Sequence, residues 1–122
     1  MINILSGLKN ELESLKIPYY FDNWEDELEL PYLVGELSEV PTLDEDGKRE
    51  FSFTLTGEDV NSYINLFNYN EIIRNEYKYV KKIKIDGGLI GISYENIVTV
   101  PVETKSIKRI QINMTIYLWE DK

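Results

Sequence analysis

From Ile107 to Trp119 the chain alternates without a break. Ile110, Ile112, Met114, Ile116 and Leu118 fall on one parity, and Arg109, Gln111, Asn113, Thr115, Tyr117 and Trp119 on the other. Side chains alternate sides along a strand, so this pattern predicts a long strand with one face on a core and one face polar. No other segment keeps the period as long, which makes it the expected centre of the sheet. Its polar face ends in Tyr117 and Trp119, two aromatics with polar handles, and that points to a partner rather than to water alone.

The remaining elements follow in chain order. Ile4 or Leu5, Leu8, Leu12 and Leu15 recur at helical spacing over residues 2–16, with Lys9, Glu11, Glu13 and Lys16 on the wet side and Pro18 as the stop. Residues 17–31 form an aromatic-rich connection in which Tyr19 to Phe21 suits a short edge strand. Trp24 there either anchors a partner or folds back over the sheet. Tyr32 to Val40 reads as a strand ended by Pro41, then Asp44-Glu45-Asp46-Gly47 as a turn. Lys48 to Thr56 is a second clean strand, with Phe51, Phe53 and Leu55 inward, so the two make an antiparallel hairpin. A second helix is expected to open at Thr56-Gly57-Glu58-Asp59, capped by Thr56 and with acids in its positive first turn. Val60, Ile64 and Phe67 start its stripe; Tyr69, Ile73 and Tyr77 continue it. Lys81 to Ile85 suits a basic edge segment, and Asp86-Gly87-Gly88 a turn. Leu89 to Tyr94 is a third main strand, and the broken alternation at Asn96 predicts a bulge near Glu95. The expected architecture is therefore α+β: an antiparallel sheet of about four main strands packed on two helices, in the order α-β-β-α-β-β, in one domain spanning 1–122.

The 122 residues support a single core that buries about two thirds of the unfolded surface. Cysteine and histidine are both absent, which removes disulfides, thiolate chemistry, the usual general base and the commonest metal ligand. No signal-peptide pattern and no apolar run of spanning length is present, so a cytoplasmic origin is expected, with no membrane partner. The net charge of −9 is uneven: residues 1–60 hold 15 acids and 4 bases, residues 61–122 hold 7 acids and 9 bases. Acids cluster at Glu25, Asp26, Glu27 and Glu29 and at Asp44, Glu45 and Asp46; bases gather at Lys78, Lys81, Lys82 and Lys84. These are either solvated loops or opposite patches by which one copy meets the next. Phosphate binding is disfavoured, because it needs many clustered cations.

Catalysis finds little footing. The many carboxylates sit in acid-rich loops with no cause for a shifted pKa, and no Ser or Lys has an activating neighbour by motif. The 44–47 turn lacks calcium-loop spacing and the 86–88 turn lacks a phosphate-loop continuation. No enzyme activity, cofactor or metal is expected.

Three segments carry a resemblance: Pro31-Tyr32-Leu33-Val34-Gly35-Glu36; Glu45-Asp46-Gly47 with Phe51 to Gly57 after it; and Lys108-Arg109-Ile110-Gln111-Ile112-Asn113 with Trp119-Glu120. Together they resemble small structural proteins of long-tailed bacteriophages of Gram-positive hosts, most of all the tail terminator (tail completion, head–tail joining) group. The resemblance implies a virion subunit that assembles into a ring, a hexamer, capping the tail tube and presenting a surface to head-completion or connector proteins. DNA passes through such a ring without specific binding, and an acidic lining would repel its phosphates. Closed rings use heterologous contacts, which a negative first half and a mildly positive second half suit. The expected interface residues are Trp24, Glu25, Asp26, Glu27, Asp44, Asp46, Lys81, Lys82, Arg109, Tyr117 and Trp119. The competing reading is a small acidic inhibitor or immunity-type protein that binds a basic partner one to one, with Trp24, Tyr117 and Trp119 as its hot spot.

Overall fold

A computed structural model describes residues 2–21, 30–41, 47–104 and 106–121. Helix α1 (Ile2–Ser14) is followed by strands β1 (Tyr19–Phe21), β2 (Tyr32–Val40) and β3 (Arg49–Val60), helix α2 (Ile64–Tyr77), and strands β4 (Lys81–Ile85), β5 (Gly88–Val100) and β6 (Ile107–Glu120). The six strands form one mixed sheet in the order β1-β2-β3-β6-β5-β4, curled into a half-barrel. The α+β class is as expected. The sheet, however, has six strands where about four were expected, and it is not wholly antiparallel: β1 runs parallel to β2, pairing Tyr19 with Leu33 and Phe21 with Gly35. The two additional strands are the edges, Tyr19–Phe21 and Lys81–Ile85. Both segments were expected as edges, and their ladders with β2 and β5 make them members of the sheet.

β6 lies at the centre, antiparallel to β3 on one side and β5 on the other. Its apolar parity is buried from Ile110 to Leu118 and its polar parity is half-buried, as the alternation requires. β5 is continuous from Gly88 to Val100, with a register shift between Tyr94 and Asn96 that places the bulge at Glu95, as expected. Thr115 Oγ1 donates to Glu95 Oε1 at 2.9 Å across that bulge.

β3 runs past the expected helix start. Gly57 and Asp59 continue the buried parity of Phe51, Phe53 and Leu55, so Thr56-Gly57-Glu58-Asp59 is the end of a strand and Thr56 caps nothing. Glycine fits at 57 because a Cβ there would collide with Leu33 Cδ2 and come within 3.0 Å of Leu66 Cδ2, so that those side chains would have to shift. The chain turns instead at Asn61, with φ 64°. Ser62 Oγ then accepts the Ile64 N–H at 3.1 Å where α2 begins, and no acid stands in its first turn. This late start turns α2 to a different stripe: Leu66, Asn70, Ile73 and Tyr77 are buried, whereas Val60, Ile64 and Phe67 are exposed, Ile64 to 69%. Tyr69 is half-buried. A buried asparagine needs a partner; Tyr94 Oη supplies it, donating to Asn70 Oδ1 at 2.8 Å.

α1 ends where Lys16 takes φ 60°, with Ile17 N–H donating to Leu12 O and Lys16 N–H to Glu13 O. That pair of bonds is a Schellman closure, and the buried Leu12 and Ile17 are its apolar contact. Ile4, Leu8 and Leu12 face the core with Phe51, Phe53, Leu55, Ile90, Ile92 and the apolar side of β6. α1 touches both edge strands, β1 and β4, so the curled sheet closes around it while α2 packs over β3 and β5.

Burial also marks two tyrosines. The Tyr19 hydroxyl has no hydrogen-bond partner among the described residues, and burial pushes its pKa up to about 12. Tyr77 is raised by burial first, then by its hydrogen bond to Glu11 Oε1 at 2.8 Å. Both groups favour the fold while neutral. Their contribution is full below the ordinary tyrosine pKa of 10 and is lost as pH rises, for Tyr19 through about 12. Circular dichroism is expected to show alkaline unfolding setting in above pH ~10, the unfolded-state pKa, and Tyr19→Phe is expected to move that onset upward.

Candidate interface

Both helices bury their stripes on one face of the sheet. The opposite face carries the outward parity of β3, β6 and β5: Ser52 beside Thr115, Thr54 beside Asn113, Thr56 beside Gln111, and Asn96 beside Asn113 from the other side. Its middle is tied into a polar ladder. Thr54 Oγ1 donates to Asn113 Oδ1 at 3.3 Å, and Asn113 Nδ2 donates to Asn96 Oδ1 at 2.8 Å. Such a floor is already satisfied and offers a partner little beyond shape.

The two ends of this face differ. At one, Arg109 lies opposite Glu58 in the ladder and donates to its Oε1 through Nε (2.8 Å) and Nη2. At the other, Tyr117 and Trp119 stand two residues apart on β6 with ring centroids 6.1 Å apart. Lys48 Nζ is 5.0 Å from the Tyr117 ring centre and Lys82 Nζ 5.5 Å from that of Trp119, within cation–π range. Gly91 makes the shelf for the indole: a Cβ there would come within 3.2 Å of the Trp119 ring. The result is a half-exposed aromatic surface flanked by two cations.

The expected interface residues are thus divided. Lys82, Tyr117 and Trp119 come together on the outward face. Arg109 is at the far end of the same 14-residue strand, about 33 Å away at 3.3 Å per residue, and is paired with Glu58. Lys81 is turned to the helical side, where Nζ donates to Glu76 at 2.5 Å and lies 3.0 Å from Glu11; hydrogen bonds to Glu76 and then Glu11 raise its pKa. Its ammonium is paired within the copy, with the side chain still 39% exposed. Trp24, Glu25, Asp26, Glu27, Asp44 and Asp46 lie outside the described residues.

Sequence reasoning missed a second class of surface. Ile64 and Phe67 leave the α2 face that turns away from the sheet apolar, and Tyr20 and Phe21 do the same on β1. The signal was available in α2, whose apolar residues occur all round the helix instead of on one stripe. Beside β1 an open groove of about 620 Å³ is lined by Leu5, Ser6, Lys9, Glu13 and Tyr19 to Phe21. Among the described residues no group of three or more Asp, Glu, His or Cys could hold a metal ion, and no helix is long and apolar enough to cross a membrane. The chemistry on display is that of contact: rings, cations and uncovered apolar side chains.

No protein-family model matches the chain, and no curated protein matches it.

Proposed function

We propose that this chain is a bacteriophage structural protein of the tail terminator or tail completion kind, a non-catalytic subunit that assembles into a hexameric ring on the tail tube and joins it to the head. The observation that carries the reading is the placement of the residues behind the resemblance. Pro31 to Glu36, Phe51 to Gly57 and Lys108 to Asn113 fall on or beside β2, β3 and β6, three neighbouring strands at the middle of the sheet. Uncovered apolar side chains on α2 and β1 add support, since they lie at different places on the fold and suit a subunit with two neighbours. The Tyr117–Trp119 surface with Lys82 over its indole suits docking to an acidic neighbour in the particle. That cation weighs against an inhibitor of a basic protein, which would place carboxylates around its aromatic anchors.

Gold-labelled antibody against the chain is expected to mark the head–tail junction of purified particles, and deletion of its gene to leave filled heads and finished tails unjoined. Absence of the protein from mature particles, or turnover of a substrate by the purified chain, overturns the reading.

A further inference from the structure

We propose that α1 of one copy packs alongside α2 of the next, with the two helices parallel, and that this head-to-tail contact is what holds neighbouring subunits together. It deepens the ring reading above and rests on it for the presence of a second copy. Both helices are about 20 Å long, having 13 and 14 residues. Each shows solvent a line of side chains at helical spacing. On α1 the line is Leu5, Lys9 and Glu13; on α2 it is Phe67, Glu71 and Arg74.

Set side by side in the same direction, the two lines match at every step. Leu5 meets Phe67, Lys9 meets Glu71, and Glu13 meets Arg74. The axial rise agrees as well, about 6 Å from the apolar residue to the first charge on both helices. Antiparallel packing keeps only the Lys9–Glu71 match and sets Arg74 on Leu5 and Glu13 on Phe67. Among the described residues these charges make only the long, exposed pairs Lys9–Glu13 and Glu71–Arg74, both at 3.9 Å. Pairs so open to water hold little energy and exchange partners readily.

Shape agrees with charge. Leu5, Lys9 and Glu13 line one side of the groove against β1, whose other wall is Tyr19 to Phe21. Phe67 is 42% exposed and Ile64 69%, so the start of α2 is an apolar ridge with nothing over it among the described residues. A groove on one part of the fold and a ridge on another cannot meet within a copy, and together they define a heterologous contact. A rotation that returns to its start gives a ring; one that does not gives a filament.

The test uses the full chain and its lack of cysteine. Sedimentation of the wild type is expected to show self-association. Lys9→Glu or Glu71→Lys alone should lower the assembled fraction by at least about tenfold at fixed concentration, through like charges set face to face, and the double variant should restore it. Lys9→Cys with Glu71→Cys, both exposed positions that face each other in the proposed contact, should yield a ladder of covalent oligomers with oxidised glutathione, and each single variant none. A wild type that stays monomeric overturns the contact, as does a single cysteine variant that dimerises as well as the double forms its ladder. A wild type that assembles yet ignores both charge changes sinks this contact and leaves the ring standing. Particles that lack the protein sink the ring itself, whatever the helices do.

Discussion

Phe53→Ala is expected to remove about 3–5 kcal/mol of folding stability, the usual cost of emptying a buried phenylalanine site. Phe53 is fully buried in β3, opposite Leu37 of β2 and Met114 of β6. Its ring receives the edge of Tyr19 at a centroid distance of 6.2 Å, and it occupies the space that Gly35 leaves, where a Cβ would lie 2.9 Å from the ring. Three of the six strands therefore pack on one side chain. Removing it leaves a cavity that the backbone of a central strand cannot collapse to fill. Most small domains have only about 5–15 kcal/mol in hand, so the loss is a large fraction of the whole. Urea titration of the variant against wild type measures it, and Phe53→Leu, which keeps most of the volume, should lose less than half as much. A change below about 1 kcal/mol, the size of an ordinary surface or peripheral effect, would mean that Phe53 is not packed as described.

Gly88→Ala is expected to cost about 1–3 kcal/mol, the range for forcing an added carbon into close-packed surroundings. The atoms in the way are main chain. A Cβ at 88 would run into the carbonyl oxygen of Trp119 and stand 3.2 Å from Glu120 Cα. No rotamer change relieves that contact; the end of the β5–β6 ladder must open instead. The Asp121 N–H bond to Gly87 O, at 2.9 Å, lies in the same corner and should be lost with it. Because Trp119 is on the displaced segment, the variant should also shift tryptophan emission. Gly91→Ala is the control: its Cβ meets the side chains of Val80 and Trp119, which can move, and a smaller loss is expected. Equal losses at 88 and 91 would count against the backbone clash.

Several elements were legible because burial on one side imposes a period. The central strand, the hairpin strand with Phe51, Phe53 and Leu55, the stripe of α1 and the bulge at Glu95 follow from alternation or helical spacing alone, since each segment meets the core along its own length. The end of β3 was not legible in the same way. Thr56-Gly57-Glu58-Asp59 has the local chemistry of a helix start, and nothing within it reveals that Leu33 and Leu66, distant in sequence, close on Gly57 and hold it in the sheet. The exposed faces of α2 followed from that error, because a helix that begins at Ile64, seven residues after the expected start at Gly57, presents a different stripe.

The candidate surface divided along the same line. Tyr117 and Trp119 were readable as outward-facing partners, since parity along one strand settles their side. Lys81 and Lys82 were not separable by composition, although one is held by Glu11 and Glu76 and the other lies over Trp119. Alternation puts these neighbours on opposite faces, but only the register against β5 decides which of them shares the face of Tyr117.

By itself, then, the order of residues determined the α+β class, the place of the last strand at the centre, and which of its side chains meet the core. Those properties depend on repeated patterns a few residues long, in which water is excluded from every second or every third and fourth position. Tertiary structure alone decided the parallel β1–β2 pair, the turn at Asn61, the apolar ridge of α2 and the groove beside α1. Each depends on which distant segment arrives as a neighbour, and that choice is made by the packing of the whole core.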